Sequence, residues 1–231
     1  MLRDDGFWIL PTYKRPASCQ EALDAIDLCS VETRGVVLVD GDADPAYRDL
    51  QLPVGWDIEF HADNLDLGGR LNGFYDAHPN LSWYGIIGDD HRVRTQEWDK
   101  MMLDRTTPFA VSYCEDGWRT PKHLAGAQIF DGGLLRAWGF WAPRGLRHCY
   151  IDNFWNDMIR AGMGVTFCGN VLVEELHDGN GKAPTDETYL HGRASVTADQ
   201  RVYDAFKEGG GIAAAASAMK TARSTARGPR T

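Results

Sequence analysis

Trp83-Tyr84-Gly85-Ile86-Ile87-Gly88-Asp89-Asp90 carries aromatic and β-branched residues straight into a glycine and two aspartates. Such a run, stopped by a turn residue, reads as a buried strand with an acidic end. Upstream, Phe7-Trp8-Ile9-Leu10 is a strand closed by Pro11, Gly35-Val36-Val37-Leu38-Val39 is almost continuously apolar, and Trp56-Asp57-Ile58-Glu59-Phe60 alternates. Between these strands apolar residues fall at helical spacing. Cys19, Ala22, Leu23 and Ile26 mark a helix over residues 18–28 with Ser18 as its cap, and Leu67, Leu71 and Phe74 mark one over 67–77. Strand and helix in alternation predict βαβ units. The nearly continuous apolarity of residues 35–39 predicts a strand covered on both faces.

Beyond the acidic end, the spacing predicts a helix over 96–103, strands over 109–114 and 127–130, and a helix over 133–138. A further helix is read from Asp152 as N-cap to residue 161, followed by short strands at 165–167 and 171–173. Residues 1–208 are expected to form one domain. Gly209-Gly210-Gly211 reads as a flexible break, and 209–231 as a basic tail holding at most a short alanine-rich helix before it frays.

The 231 residues suffice for one α/β domain with a real core. The formal charge of -9 argues against a surface built to wrap nucleic acid, although six basic residues face only two acidic ones from Arg201 onward. Five cysteines stand singly, with no Cys-x-x-Cys pair, which disfavours a disulfide framework or a zinc cage. Neither a leader peptide nor an apolar run long enough to span a bilayer is read, so a cytoplasmic protein without a membrane span is expected.

In open α/β sheets ligands bind beyond the carboxyl ends of the strands. Three such ends are polar here: Pro11-Thr12-Tyr13-Lys14-Arg15, Asp40-Gly41-Asp42 and Gly88-Asp89-Asp90. No Gly-x-Gly-x-x-Gly follows the first strand, which disfavours nicotinamide cofactors. Gly179-Asn180-Gly181-Lys182 is followed by Ala183 and is no P-loop. A nucleoside diphosphate then needs another source of positive charge, and adjacent aspartates supply it by holding Mg2+ or Mn2+. Neighbouring strand residues point to opposite faces, so Asp90 is assigned to the metal and Asp89 to the ribose or to support of the ligand. Solvated turn residues are the alternative for both. His177 follows an apolar strand and precedes a glycine-rich loop over residues 178–184, which makes it a further candidate beside the ordinary reading of a surface histidine. Aromatic residues crowd positions 138–155. Most read as core, with Trp141, in an expected loop, as the candidate acceptor platform.

In this order the segments resemble GT-A glycosyltransferases, particularly short bacterial and phage enzymes related to the large inverting family. The resemblance runs over residues 7–190. It rests on Leu10-Pro11-Thr12-Tyr13-Lys14-Arg15-Pro16, Val39-Asp40-Gly41-Asp42, residues 64–72 with Leu67-Gly68-Gly69-Arg70-Leu71-Asn72, Ile86-Ile87-Gly88-Asp89-Asp90, Gly139-Phe140-Trp141-Ala142-Pro143, the stretch from His148 to Trp155, and Val173-Glu174-Glu175-Leu176-His177. It implies an α/β, Rossmann-like mixed central sheet flanked by helices. It further implies that Pro11, Thr12, Tyr13, Arg15, Asp40 and Asp89 meet the nucleotide sugar, that Arg70 touches ribose or phosphate, that Asp90 binds Mn2+ or Mg2+, and that His177 joins the metal or diphosphate. Asp152 is then the candidate base that takes the acceptor's proton. The chain departs from a strict Asp-x-Asp, with His91 in third place. The implied activity is transfer of a sugar from a nucleoside diphosphate sugar, UDP-linked by expectation, to a hydroxyl acceptor, with hydroxymethylated pyrimidines in phage DNA as one candidate. A noncatalytic nucleotide-sugar or carbohydrate-binding module on the same fold is the alternative from another class. A nucleotidyltransferase is disfavoured by the lack of a basic, glycine-rich loop after the first strand.

Overall fold

β1 (Phe7–Thr12) and β2 (Gly35–Asp40) send alternate side chains to opposite faces of the sheet. Ile9, Val36 and Leu38 enter one apolar cluster, while Trp8, Leu10, Val37 and Val39 enter another. Both clusters are buried, so the sheet is the middle layer of three, as the apolar run predicted. The computed structural model describes residues 5–31, 33–41, 44–63, 65–119, 124 and 126–226. Asp42, Asn64, Arg227 and Arg230, which fall within segments named above, lie outside the described residues.

The remaining strands are β3 (Trp56–His61), β4 (Trp83–Ile86), β5 (His91–Val93), β6 (Ala110–Glu115), β7 (Gln128–Asp131) and β8 (Gly164–Glu175). Their order is β3-β2-β1-β4-β7-β6-β8-β5. β3, β2, β1 and β4 are mutually parallel, whereas β7 runs antiparallel to both β4 and β6. The sheet is therefore mixed. The two short strands read at 165–167 and 171–173 are one strand, β8, which runs parallel to β6 with an irregularity opposite Cys114 and Glu115.

Helices α1 (Pro16–Cys29) and α3 (Trp98–Leu103) cover one face. On the other lie α2 (Asp66–Ala77), α4 (Gly132–Trp138) and α5 (Ile151–Arg160). The expected Ser18 cap is corrected: α1 starts at Pro16, whose fixed φ suits the first turn, and Arg15 is the N-cap. The Ser18 hydroxyl donates to the Asp89 carbonyl instead, at 2.8 Å. At α2 the backbone comes very close to residues 146–147. A Cβ on Gly68 would lie 2.0 Å from the Leu146 oxygen, and Gly68 N–H donates to Arg147 O at 2.7 Å. That approach anchors the chain just before α5.

The flexible tail is also corrected. Helices α6 (Glu187–Ala194) and α7 (Val196–Glu208) are followed by α8 (Gly211–Ala226), which packs on α4, α5 and α7. Ala215, Ala216 and Met219, spaced as one helix face, are buried there, and Gly210 at φ +79 makes the tight turn from α7. The triple glycine is a corner, and the helix beyond it completes the core.

Candidate functional site

The carboxyl ends of β1, β2 and β4 open into a cleft of about 700 Å³. Pro11, Thr12, Tyr13, Arg15, Asp40, Arg70, Asp89, Asp90, Asp152 and His177 all line it, so the structure gathers every sequence-predicted site residue except Trp141.

At the β1 end a chain of hydrogen bonds fixes the loop. Arg15 N–H donates to Tyr47 Oη at 2.7 Å, Tyr47 and Thr12 share a bond of 2.8 Å, and the Thr12 hydroxyl donates to Asp89 Oδ2 at 2.8 Å. Bonds in series polarise one another, so Asp89 orders the whole turn. The Arg15 guanidinium donates to Asp89 Oδ1 at 3.2 Å, grips both oxygens of Asp186 at 2.6 and 2.7 Å, and stacks 3.8 Å from the Tyr189 ring. Burial, together with the charge of Asp90, pushes the Asp89 carboxyl up to about 6.

Asp40 sits at the N-terminus of α2 and satisfies its open donors. Its Oδ2 accepts from Asp66 N at 2.8 Å and its Oδ1 from Arg70 Nε at 2.7 Å. Arg70 is 5% exposed and also donates from Nη2 to Asp63 Oδ1 at 2.6 Å. Asp40 and Arg70 thus form a buried pair whose charges answer each other.

The other end of the cleft holds a cluster of donors. Strand β5 pairs antiparallel with β8, His91 opposite Glu175, and Leu176 N–H donates to Asp90 O at 2.8 Å. This register brings one ligand atom each of Asp90, Glu175 and His177 within 4.8 Å of one another. Two carboxylates and an imidazole suit Mn2+, which accepts nitrogen more readily than Mg2+ does. The donor set fits a divalent cation. Burial works to raise the Asp90 carboxyl, but His91 and then Arg15 beside it hold it well below the usual carboxylate range. His91 Nδ1 lies 3.1 Å from the Gly88 amide and 3.0 Å from Asp90 Oδ1. Nδ1 accepts from the first when it bears no proton, or donates to the second when it carries one. His91 closes the turn and stands outside the three-donor cluster.

Asp152 occupies the first turn of α5, exposed at the mouth of the cleft. The N-cap is Tyr150, at φ +66, and not Asp152 as expected. The segment before it is clasped from α7: Asp199, fully buried, accepts from the amides of Arg147, His148 and Cys149 at 3.0, 2.9 and 2.7 Å and from the Ser195 hydroxyl at 2.9 Å.

No family model and no curated protein sequence matches the chain. Solved structures do. The S. aureus protein TarS, as the fragment 1–349, superposes with a TM-score of 0.57 at 13% identity over 74% of this chain and 60% of that one. The same fragment bound to UDP-GlcNAc gives 0.56. The mannosyltransferase PcManGT from Pyrobaculum calidifontis, in complex with GDP-Man and Mn2+, gives 0.59 at 14% identity over 98% of this chain and 76% of that one. The chain has the GT-A glycosyltransferase fold. It spans only 36% of the longer TarS chain.

Within the GT-A core one expectation fails outright. Trp141 is 0% exposed, set edge-on to Tyr84 and Phe130, and its backbone N–H is tied to Asn72 Oδ1 at 2.9 Å. It cannot offer a face to an acceptor. Trp141→Ala is expected to lower unfolding free energy by about 3–5 kcal/mol. Urea midpoints measure this, and an unchanged midpoint would contradict the core placement. Three residues at the GT-A cleft were missed by sequence reasoning. Glu175 ends β8 two residues before His177 and meets Asp90 only because β8 pairs with β5. Asp186 and Tyr189 carried no local signal, because they reach Arg15 and Asp90 only through tertiary packing; Tyr189 Oη donates to Asp90 Oδ2 at 3.1 Å.

Proposed function

We propose that the chain is a metal-dependent glycosyltransferase that moves a sugar from a nucleoside diphosphate sugar to a hydroxyl acceptor. The observation that carries this is the Asp90, Glu175 and His177 cluster at one end of the same cleft that the β1 and β2 ends form. GT-A neighbours that bind UDP-GlcNAc, or GDP-Man with Mn2+, support the reading. A UDP-linked donor is the finer proposal. Five free cysteines accord with a reducing, cytoplasmic setting, and no described helix is long and apolar enough to cross a membrane.

In this reading Asp90, Glu175 and His177 would hold the cation, whose charge would offset that of the diphosphate as it leaves. The loop of Pro11, Thr12, Tyr13 and Arg15, fixed from below by Asp89, and the Asp40–Arg70 pair line the nucleoside end. Asp152 at the mouth takes the acceptor's proton as the acceptor oxygen bonds to the anomeric carbon. The anomeric bond to the diphosphate breaks, and its electron pair leaves with the nucleoside diphosphate. The proposal does not extend to DNA. The solved neighbours give no support for a DNA acceptor, and Lys220 and Arg223 of the expected basic tail belong to the packed helix α8.

The test is release of nucleoside diphosphate from a panel of UDP- and GDP-sugars. Release should depend on Mn2+, stop with chelator and return on adding the ion. Full turnover with chelator present would remove the metal from the proposal. Donor binding by calorimetry without turnover on any hydroxyl would favour the binding-module reading.

A further inference from the structure

His177 carries a constraint that the two carboxylates do not. A neutral imidazole has one nitrogen with a free lone pair, and the other bears the proton. Here Nδ1 accepts the Gly179 N–H at 2.9 Å, so that His177 caps the short 3-10 turn Asp178–Asn180. In that state the proton sits on Nε2, which then has nothing to offer a cation. Ligation through Nε2 requires the proton on Nδ1, where an acceptor must replace the amide. Asp178 Oδ1 lies 3.0 Å from that nitrogen. Its carboxylate is firmly placed: Arg193 Nη2 donates to its two oxygens at 2.7 and 2.6 Å, and the Thr185 hydroxyl to Oδ2 at 2.8 Å.

We infer that Asp178 is a positioning residue of the metal centre, taking the Nδ1–H of His177 when Nε2 turns to a divalent cation, with Arg193 of α6 holding Asp178 in place. The inference rests on the proposed metal role of His177. It also explains what α6 contributes. From this one helix Tyr189 donates to Asp90 and Arg193 fixes Asp178 behind His177, so α6 braces two of the three donors. Metal loading exchanges one bond for another, releasing the Gly179 amide as the Asp178 bond forms.

Mn2+ binding to the whole chain, followed by the electron paramagnetic resonance signal of free Mn2+, tests this without any sugar transfer. Asp178→Ala should weaken binding by about 10- to 100-fold, the usual effect of removing a carboxylate behind a metal-bound histidine. Asp178→Asn, which keeps an acceptor but not the charge, should recover part of the loss. Thr185→Val, which removes one bond that places the carboxylate but leaves the Arg193 pair, should give a smaller loss than Asp178→Ala. Wild-type affinity in Asp178→Ala overturns the inference. A wild-type chain that binds no Mn2+ overturns the metal reading beneath it. Nitrogen-15 spectra of the wild-type imidazole, with Zn2+ as a diamagnetic probe, add a measurement free of any folding defect. Protonation of His177 Nδ1 on metal addition supports the exchange, and an Nδ1 that stays unprotonated sinks it.

Discussion

Asp90→Ala is expected to lower kcat/KM for sugar transfer by about 10³-fold or more, roughly 4 kcal/mol of transition-state stabilisation, and to remove Mn2+ binding. Asp90 is the donor that the β4 end supplies, and it faces Glu175 and His177 across the β5–β8 pairing. Neither of those two reaches the cation site from the β1 side of the cleft. The fold should survive the change. Asp90 is one of the causes that push the Asp89 carboxyl up to about 6, second only to burial. Removing that charge lets Asp89 ionise more easily. A raised folded-state pKa on a carboxyl weakens stability as pH rises from about 4 through 6, so at neutral pH its relief favours the folded state. Asp90 itself works the other way: its carboxyl is held well below the usual range by His91 and Arg15, and that contribution at pH 7 goes with the side chain, so the melting temperature should be somewhat lower than wild type while the chain stays folded. Retention of more than a tenth of wild-type activity would take Asp90 out of the metal site.

Asp152→Asn is expected to reduce kcat by about 10²- to 10⁴-fold, the range for loss of a general base, while the donor KM changes little. The carboxylate is exposed at the cleft mouth, and Oδ1 accepts only its neighbour's amide, Asn153 N, at 2.9 Å. Oδ2 makes no hydrogen bond among the described residues and is open to an acceptor hydroxyl. Steady-state kinetics with a productive acceptor separate the two parameters. An unchanged kcat would move the base to another group.

Much of the left half of the sheet was legible because β1, β2 and β4 are short apolar runs with polar ends, and open α/β sheets place ligands there. Asp40, Asp89 and Asp90 follow from that logic. Glu175 did not, because its role depends on β8 pairing with a three-residue strand, β5, that has no periodicity of its own. Trp141 failed for a related reason. A loop position suggests exposure, but Asn72, a side chain of α2, pins residues 141 and 142 against the core through 2.9 and 3.2 Å bonds. The tail misled through composition. Three glycines in a row signal freedom, yet Ala215, Ala216 and Met219 beyond them form an apolar face that pays for order by packing on α4, α5 and α7.

The clasp of Asp199 on residues 147–149 has a bearing on how the molecule is made. A growing chain has presented all of the strand ends β1, β2 and β4 long before synthesis reaches α7, and those parallel strands can pair as they appear. The turn that aims Asp152 has no such independence, since its three amides wait for a carboxylate some 50 residues later. The wall that carries Asp152 therefore sets later than the strand ends. A nascent chain halted before Asp199 would hold the β1, β2 and β4 ends of the cleft and lack the clasp behind Asp152.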